Sequence, residues 1–265
     1  MRRVFFLGEP FIGGRRIEIE EELYQTCLQV KLRLEALSDI EDSFSLLAMA
    51  LIEFESYLLT TSVRNLYGDE GCDFRDFGAE VRTSLNLKLL SVLNCSRVFE
   101  EQAYRCLSQH DSNALFSLET IKGLFRSAFD SSFEYRVMYQ LRNHAMHHSL
   151  PVGLISFGQT HQSKSDRPSD RISFRHRYTI DIGIDVQELQ NSDRLNKKVR
   201  RELEGIPKKF LDLKYFLRGF AGKLGEAHQG IAEHTEELFA TSLKEIEDFA
   251  SLLQELGEAD PNTLS

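Results

Sequence analysis

Ser131-Ser132-Phe133-Glu134-Tyr135-Arg136-Val137-Met138-Tyr139-Gln140-Leu141-Arg142-Asn143-His144-Ala145-Met146-His147-His148-Ser149-Leu150-Pro151 reads as one helix with both ends marked. Ser131 stands three residues before Glu134, the spacing of a capping box. Apolar side chains at Tyr135, Val137, Met138 and Leu141 follow at helical steps, and Leu150-Pro151 stops the run near His148. The last third also gathers unusual chemistry. It holds Arg142, Asn143 and three of the chain's eight histidines, His144, His147 and His148.

The same period extends upstream. Leu23, Cys27, Val30, Leu34 and Leu37 mark a first helix over Ile19–Leu37, with Ser38-Asp39 as a break and N-cap. Phe44, Leu47, Leu51, Phe54 and Leu58 mark a second, from about Ile40 to Tyr67, ended by Gly68. After a glycine-containing loop, Val81, Leu85, Leu89, Val92, Phe99 and Leu107 describe a long third helix, and Ala114–Phe129 a fourth. Residues 19–150 therefore predict an antiparallel helical bundle, after an extension at 1–18.

Downstream the period changes to two. Phe174, His176, Tyr178, Ile180, Ile182 and Ile184 alternate with Arg175, Arg177, Thr179, Asp181 and Asp185, the mark of a strand buried on one side. With the apolar run Val152–Phe157, and a polar loop over 159–171, it predicts a β-hairpin within 151–186 that covers the bundle. Helices resume over 187–257, with breaks near Gly205-Ile206-Pro207 and Gly225–Gly230 and a last helix over Ile231–Leu256. Residues 258–265 read as a tail. The fold class is mainly α.

Composition narrows the function classes. At 265 residues, 42% hydrophobic and 28% charged, the chain has the material for one large domain or two small ones. The longest uncharged apolar run, Ser43–Ile52, is half of the ~20 residues a membrane span needs, and the start is too short for a secretory signal. The four cysteines form no CxxC pair, which points to a reducing cytoplasm. The net charge of −9 argues against indiscriminate nucleic-acid binding, yet residues 164–220 hold 14 Lys and Arg against 9 Asp and Glu. The glycine-rich stretch Gly8–Gly14 lacks a phosphate-loop pattern and reads as a turn or mobile start.

The Arg142–His148 cluster suits phosphodiester chemistry. Imidazole exchanges protons near neutral pH, and guanidinium presents a charged fork to phosphate oxygens. Arg142-Asn143-x-x-x-His147 resembles the signature of HEPN domains, in which an arginine followed by a polar residue precedes a histidine by a short spacer late in a bundle helix. His148 satisfies the same spacing. The resemblance covers the helical bundle to Leu150. It implies a metal-independent endoribonuclease, acting as a homodimer without a cofactor and leaving 2′,3′-cyclic phosphate ends. It also implies a toxin or defence setting, with an antitoxin or regulatory protein as partner. On that resemblance His147 is the acid–base group, with His148 as the alternative, Arg142 the transition-state clamp and Asn143 an orienting group.

Other readings stand beside this one. Arginine and histidine near a helix C-terminus interact favourably with its dipole, so the cluster also fits a non-catalytic dimerisation or nucleotide- or partner-binding module. His144 lies in line with Val137 and Phe133 and reads as packed. A zinc site finds no HExxH glutamate and no cysteine pair, so no metal is assigned. Arg175 and Arg177, with Lys197 and Lys198 beyond, are placed to track an RNA backbone. His228 has no evident partner.

Overall fold

A computed structural model describes residues 4–8, 16–67, 74–108, 118–147, 149–164, 173–193 and 195–259, with the side chains at 66–67, 74, 107–108, 159–164, 173–178, 253 and 256–259 left aside. The chain is mainly α: seven helices and two small antiparallel sheets among the described residues. It divides into two compact units, neither continuous in sequence.

The first unit combines residues 1–42, 102–122 and 229–265. Strands β1 (Phe5–Gly8) and β2 (Arg16–Ile19) pair antiparallel, with Phe5 opposite Ile19. The Phe5 ring lies 4.7 Å from that of Tyr24 at the start of helix α1 (Glu21–Tyr67). Strand β1 was not anticipated in the glycine-rich start; residues 9–15 lie outside the described residues. The break expected at Ser38-Asp39 does not occur, and α1 runs through it. Mid-helix Ser and Asp cost only a few tenths of a kcal/mol, which burial of Val30 and Ile40 outweighs. Asp39 pairs instead with Arg105 of helix α2 (Phe74–Ser108) at 3.3 Å. Helix α7 (Leu213–Ala259) likewise passes through Gly225 and Gly230, where a break was expected; Leu224, Ala227 and Ile231 are buried around them. Its Glu245 pairs with Arg33 of α1.

The second unit combines residues 43–101 and 123–228 and contains the Arg142 cluster. Leu47 and Phe54 of α1, Leu85 and Leu89 of α2, and Leu217 of α7 are fully or almost fully buried in it. Phenylalanine supplies much of the remainder. The Phe99 ring meets Phe44 at 5.2 Å and Phe125 at 5.6 Å, and His228 stacks on Phe44 at 3.8 Å with the rings 2° from parallel. His228 thus has a partner that sequence did not reveal.

Helices α3 (Leu118–Ser131) and α4 (Phe133–His147) are separated by Ser132 alone. Ser132, rather than Ser131, is the capping residue. Its hydroxyl accepts from the Tyr135 N–H at 3.0 Å and donates to Glu134 at 2.8 Å. The Glu134 carboxyl is held below its ordinary range, first by its own backbone N–H, then, against desolvation, by the Ser132 and Tyr215 hydroxyls and the Arg136 charge. Ser132→Ala is expected to cost about 1 kcal/mol, measured by urea unfolding. A lowered native pKa means that the Glu134 contribution is complete above the ordinary carboxylate range and is lost as pH falls through the native value. The stability gap between wild type and Glu134→Gln, below about 1 kcal/mol for a half-buried carboxylate in the first turn of a helix, should therefore hold at neutral pH and close in acid.

The second sheet has the order β3-β4-β5, all antiparallel, from β3 (Leu154–Lys164), β4 (Ser173–Asp185) and β5 (Phe210–Asp212). Ile180, Ile182 and Ile184 are buried and Asp181 is exposed, as the alternation predicts. The polar stretch 159–164, expected as loop, continues β3, because ladder pairing to residues 173–178 needs no apolar side chain. Strand β5 was not anticipated. Gly183 lets it approach: a Cβ there would lie 2.9 Å from that of Phe210 and 3.2 Å from that of Leu154. Between β4 and β5 lie the short helices α5 (Val186–Gln190) and α6 (Lys197–Glu204), α6 ending at Gly205 near the expected break.

One face of α1 is unusual. Leu46, Met49, Ile52, Leu59 and Val63 are 54, 64, 63, 70 and 53% exposed, at steps of three, three, seven and four. By length and composition this helix is apolar enough to cross a membrane. Its carboxylates Glu53 and Glu55 nevertheless carry ion pairs to Lys88 and Arg218, at 2.9 and 2.7 Å.

Candidate functional site

Helix α4 is held by a buried polar seam. Arg136, Gln140 and His144, at four-residue steps, are 6, 7 and 5% exposed, and each finds a partner beyond its own helix. The Arg136 guanidinium grips both oxygens of Glu202 on α6, at 3.0 and 2.7 Å, and donates to the carbonyls of Phe129 and Asp130 at the end of α3, at 2.7 and 2.9 Å. The Gln140 side-chain oxygen accepts from the Asn196 N–H that precedes α6, at 3.4 Å. His144 Nε2 lies 2.9 Å from the Ser149 hydroxyl, just beyond the helix. The expectation that His144 is packed holds.

The chain leaving α4 is clamped as well. Pro151 and Val152 are buried, and the Val152 N–H donates to the Asn86 side chain of α2 at 3.1 Å. Asn86 in turn donates to the Arg82 carbonyl at 2.9 Å. The motif helix is thus fixed at its start by Ser132, along one face by α6 and beyond its end by α2. A rigid mounting of this kind suits a site whose groups must be pre-positioned.

Arg142 projects from the other side of α4. It is half-buried in a crevice with Arg97 and Glu100 of α2, Tyr139 of α4 and Phe220 of α7. Its guanidinium lies 3.4 Å from the Asn143 side-chain oxygen, which accepts from it. The free volume is ≈ 10 Å³, about that of one water probe. Across the crevice, and against the desolvation that opposes it, Glu100 and Glu101 hold the Arg97 guanidinium above its ordinary pKa. Ion pairs at 2.9 and 2.6 Å make the contact.

His147 is the last residue of α4 and is exposed. Because α4 stays helical through it, five steps of ~100° carry His147 about 140° away from Arg142. His147 falls instead nearly in line with Gln140, on the side of the seam. Exposed Met146 and Leu150 flank it. His148 lies outside the described residues.

Of the proposed RNA contacts, Lys197 and Lys198 open α6 and are exposed. Asn196 caps that helix, accepting from the Lys198 N–H at 2.8 Å. The Asn196–Gln140 bond sets both lysines beside the middle of α4, and Lys198 lies 3.8 Å from Asp130. Arg175 and Arg177 pair through their backbones with Gln162 and Thr160; their side chains are outside the described set. Among the described residues no group of three or more His, Cys, Asp or Glu is placed to hold a metal ion.

The residues that sequence reasoning passed over are Arg136, Gln140 and Glu202. For Arg136 and Gln140 a signal existed, since polar residues at four-residue steps along a helix mark a buried polar face as readily as a wet one; for Glu202 there was none. No family model, curated protein or solved structure matches the chain.

Proposed function

We propose that the protein is a cytoplasmic, metal-independent endoribonuclease of HEPN type that works as a homodimer, its helical bundle carrying the motif at the end of α4. In this reading His147 takes the proton of a ribose 2′-hydroxyl, whose oxygen attacks the adjacent phosphorus. Arg142 steadies the added negative charge, the bond from phosphorus to the 5′-oxygen breaks, and that oxygen takes up a proton. The products are a 2′,3′-cyclic phosphate and a 5′-hydroxyl. Asn143 orients the guanidinium, and Lys197 and Lys198 hold the flanking backbone with Arg175 and Arg177. A toxin or defence role, restrained by an antitoxin or regulatory protein, belongs to the same reading.

The observation that carries the proposal is the exposed His147 imidazole at the end of a helix that is fixed on three sides and bears Arg142-Asn143 one turn earlier. The divergence of Arg142 and His147 on one helix supports the homodimer, since a second protomer can bring an arginine to a histidine that its own chain does not. The exposed α1 face offers a surface for that association. Each fully buried Leu, Met, Ile or Val contributes about 1.5–3 kcal/mol, and this face presents five of them.

Incubation of the protein with total RNA in excess EDTA tests the chemistry; cleavage leaving cyclic phosphate ends is the expected result. Ile52→Asp/Leu59→Asp should run as a monomer in light scattering at concentrations where the wild type is a dimer, and should lose cleavage with it. Intact RNA at high protein concentration, or a wild type that is already monomeric, would sink the proposal. The second reading, a binding module without catalysis, draws on the narrowness of the Arg142 crevice. Under it RNA stays whole while Arg142→Ala changes only stability or affinity.

A further inference from the structure

Among the described residues strand β3 is an edge strand, since the sheet order places it outside β4. It is 11 residues long, about twice the usual length. It contains no proline, and its only Asp, Glu, Lys or Arg is Lys164 at the end. Charges and prolines are the devices by which exposed edges normally avoid pairing. Beside it runs a groove of ≈ 640 Å³ whose other wall is the first third of α2. Ile155, Ser156 and Phe157 all line it. Side chains of a strand alternate between faces, so three consecutive residues in one lining mean that the groove meets the strand along its edge. There every second residue directs its N–H and C=O outward.

The α2 wall fits an extended chain in size and charge. Gly78 and Ala79 keep it low, and a Cβ at Gly78 would have nothing within 4 Å. Phe157, packed on Phe77 at 5.3 Å between ring centres, gives the groove an apolar floor. The ionisable side chains in the lining are Arg75 and Arg82, both exposed. Seven residues apart, they stand two helical turns, about 10 Å, from each other on one side of α2. That separation matches acidic side chains two to four residues apart on a strand.

We propose that this groove binds an extended acidic peptide segment of a partner protein, which adds to the sheet as a strand antiparallel or parallel to β3. Arg75 and Arg82 pair with its carboxylates. Main-chain bonds to the open edge give affinity, and the two guanidiniums give selectivity for acidic sequences. A nucleic-acid backbone satisfies the arginines but makes no use of a β-strand edge, so the peptide is the occupant that both features favour. The inference is independent of RNA cleavage.

The probe is a fluorescein-labelled ten-residue peptide of alternating valine and glutamate, titrated into the full chain and followed by anisotropy and amide hydrogen exchange. Saturable binding is expected, with exchange at β3 residues 154–158 slowed at least about tenfold. Arg82→Glu should weaken binding about tenfold or more. Gly78→Leu should block it without lowering the melting temperature, because its side chain enters open space. A valine–lysine peptide should not bind. Failure of the glutamate peptide to bind, binding that survives both substitutions, or binding without protection of β3 overturns the proposal. If a ten-nucleotide oligouridine instead binds, loses affinity in Arg82→Glu and leaves β3 exchange unchanged, the groove is a nucleic-acid surface.

Discussion

Arg136→Met is expected to lower the unfolding free energy by about 3 kcal/mol, toward the lower end of the range for breaking a buried ion pair. The variant strips Glu202 of both guanidinium bonds and leaves the carbonyls of Phe129 and Asp130 without their donor. Glu202, with 30% of its side chain exposed, recovers part of its hydration, which keeps the loss from reaching the upper end. For a folding unit of this size that is a fall in melting temperature of about 6–12 °C. Glu202→Gln should cost less, about 1–2 kcal/mol, since the guanidinium keeps its two carbonyl acceptors. The double variant Arg136→Met/Glu202→Met should recover part of the single loss, because paired apolar residues leave no buried charge behind. Urea denaturation of the wild type, Arg136→Met, Glu202→Met and the double variant gives the coupling energy directly. A loss below about 1 kcal/mol in Arg136→Met would mean that the seam does not fix α4.

How far the sequence could be read follows from what each signal measures. Periodicity reports burial of apolar side chains, and where burial decides, it succeeded: α2, α4 and the Ile180–Ile184 face of β4 stand as expected. Local breakers report propensity, which tertiary packing overrode at Ser38-Asp39 and at Gly225 and Gly230, so pairs of predicted helices are single helices α1 and α7. Strand β5 is three residues long, too short for any alternation to register. The polar half of β3 is held through its backbone, and no side-chain pattern encodes that. For the site, the cluster Arg142–His147 was legible because its residue types are rare together, but its support was not. Arg136 meets Glu202 across 66 positions, and a single sequence carries no trace of such a pairing.

The helical placement of the motif makes its own strong demand. If cleavage draws Arg142 from one protomer and His147 from the other, Arg142→Ala and His147→Ala should each lower the rate by about 10²–10⁴, the range for loss of an acid–base group. Neither should unfold: Arg142 is half-buried and His147 exposed, so losses beyond about 1 kcal/mol are not expected. Mixing the two inactive proteins then separates the geometries. With free exchange about half of the dimers are heterodimers, each with one site that has both groups and one that has neither. Cleavage should return to about one quarter of the wild-type level. If each site instead took both groups from one chain, every protomer in the mixture would lack one of them and no activity would return. Recovery tracks subunit exchange, so it should appear on the timescale of dimer dissociation and vanish when both substitutions lie in the same chain. Two variants that stay fully active would remove Arg142 and His147 from the chemistry and leave the end of α4 as a binding surface.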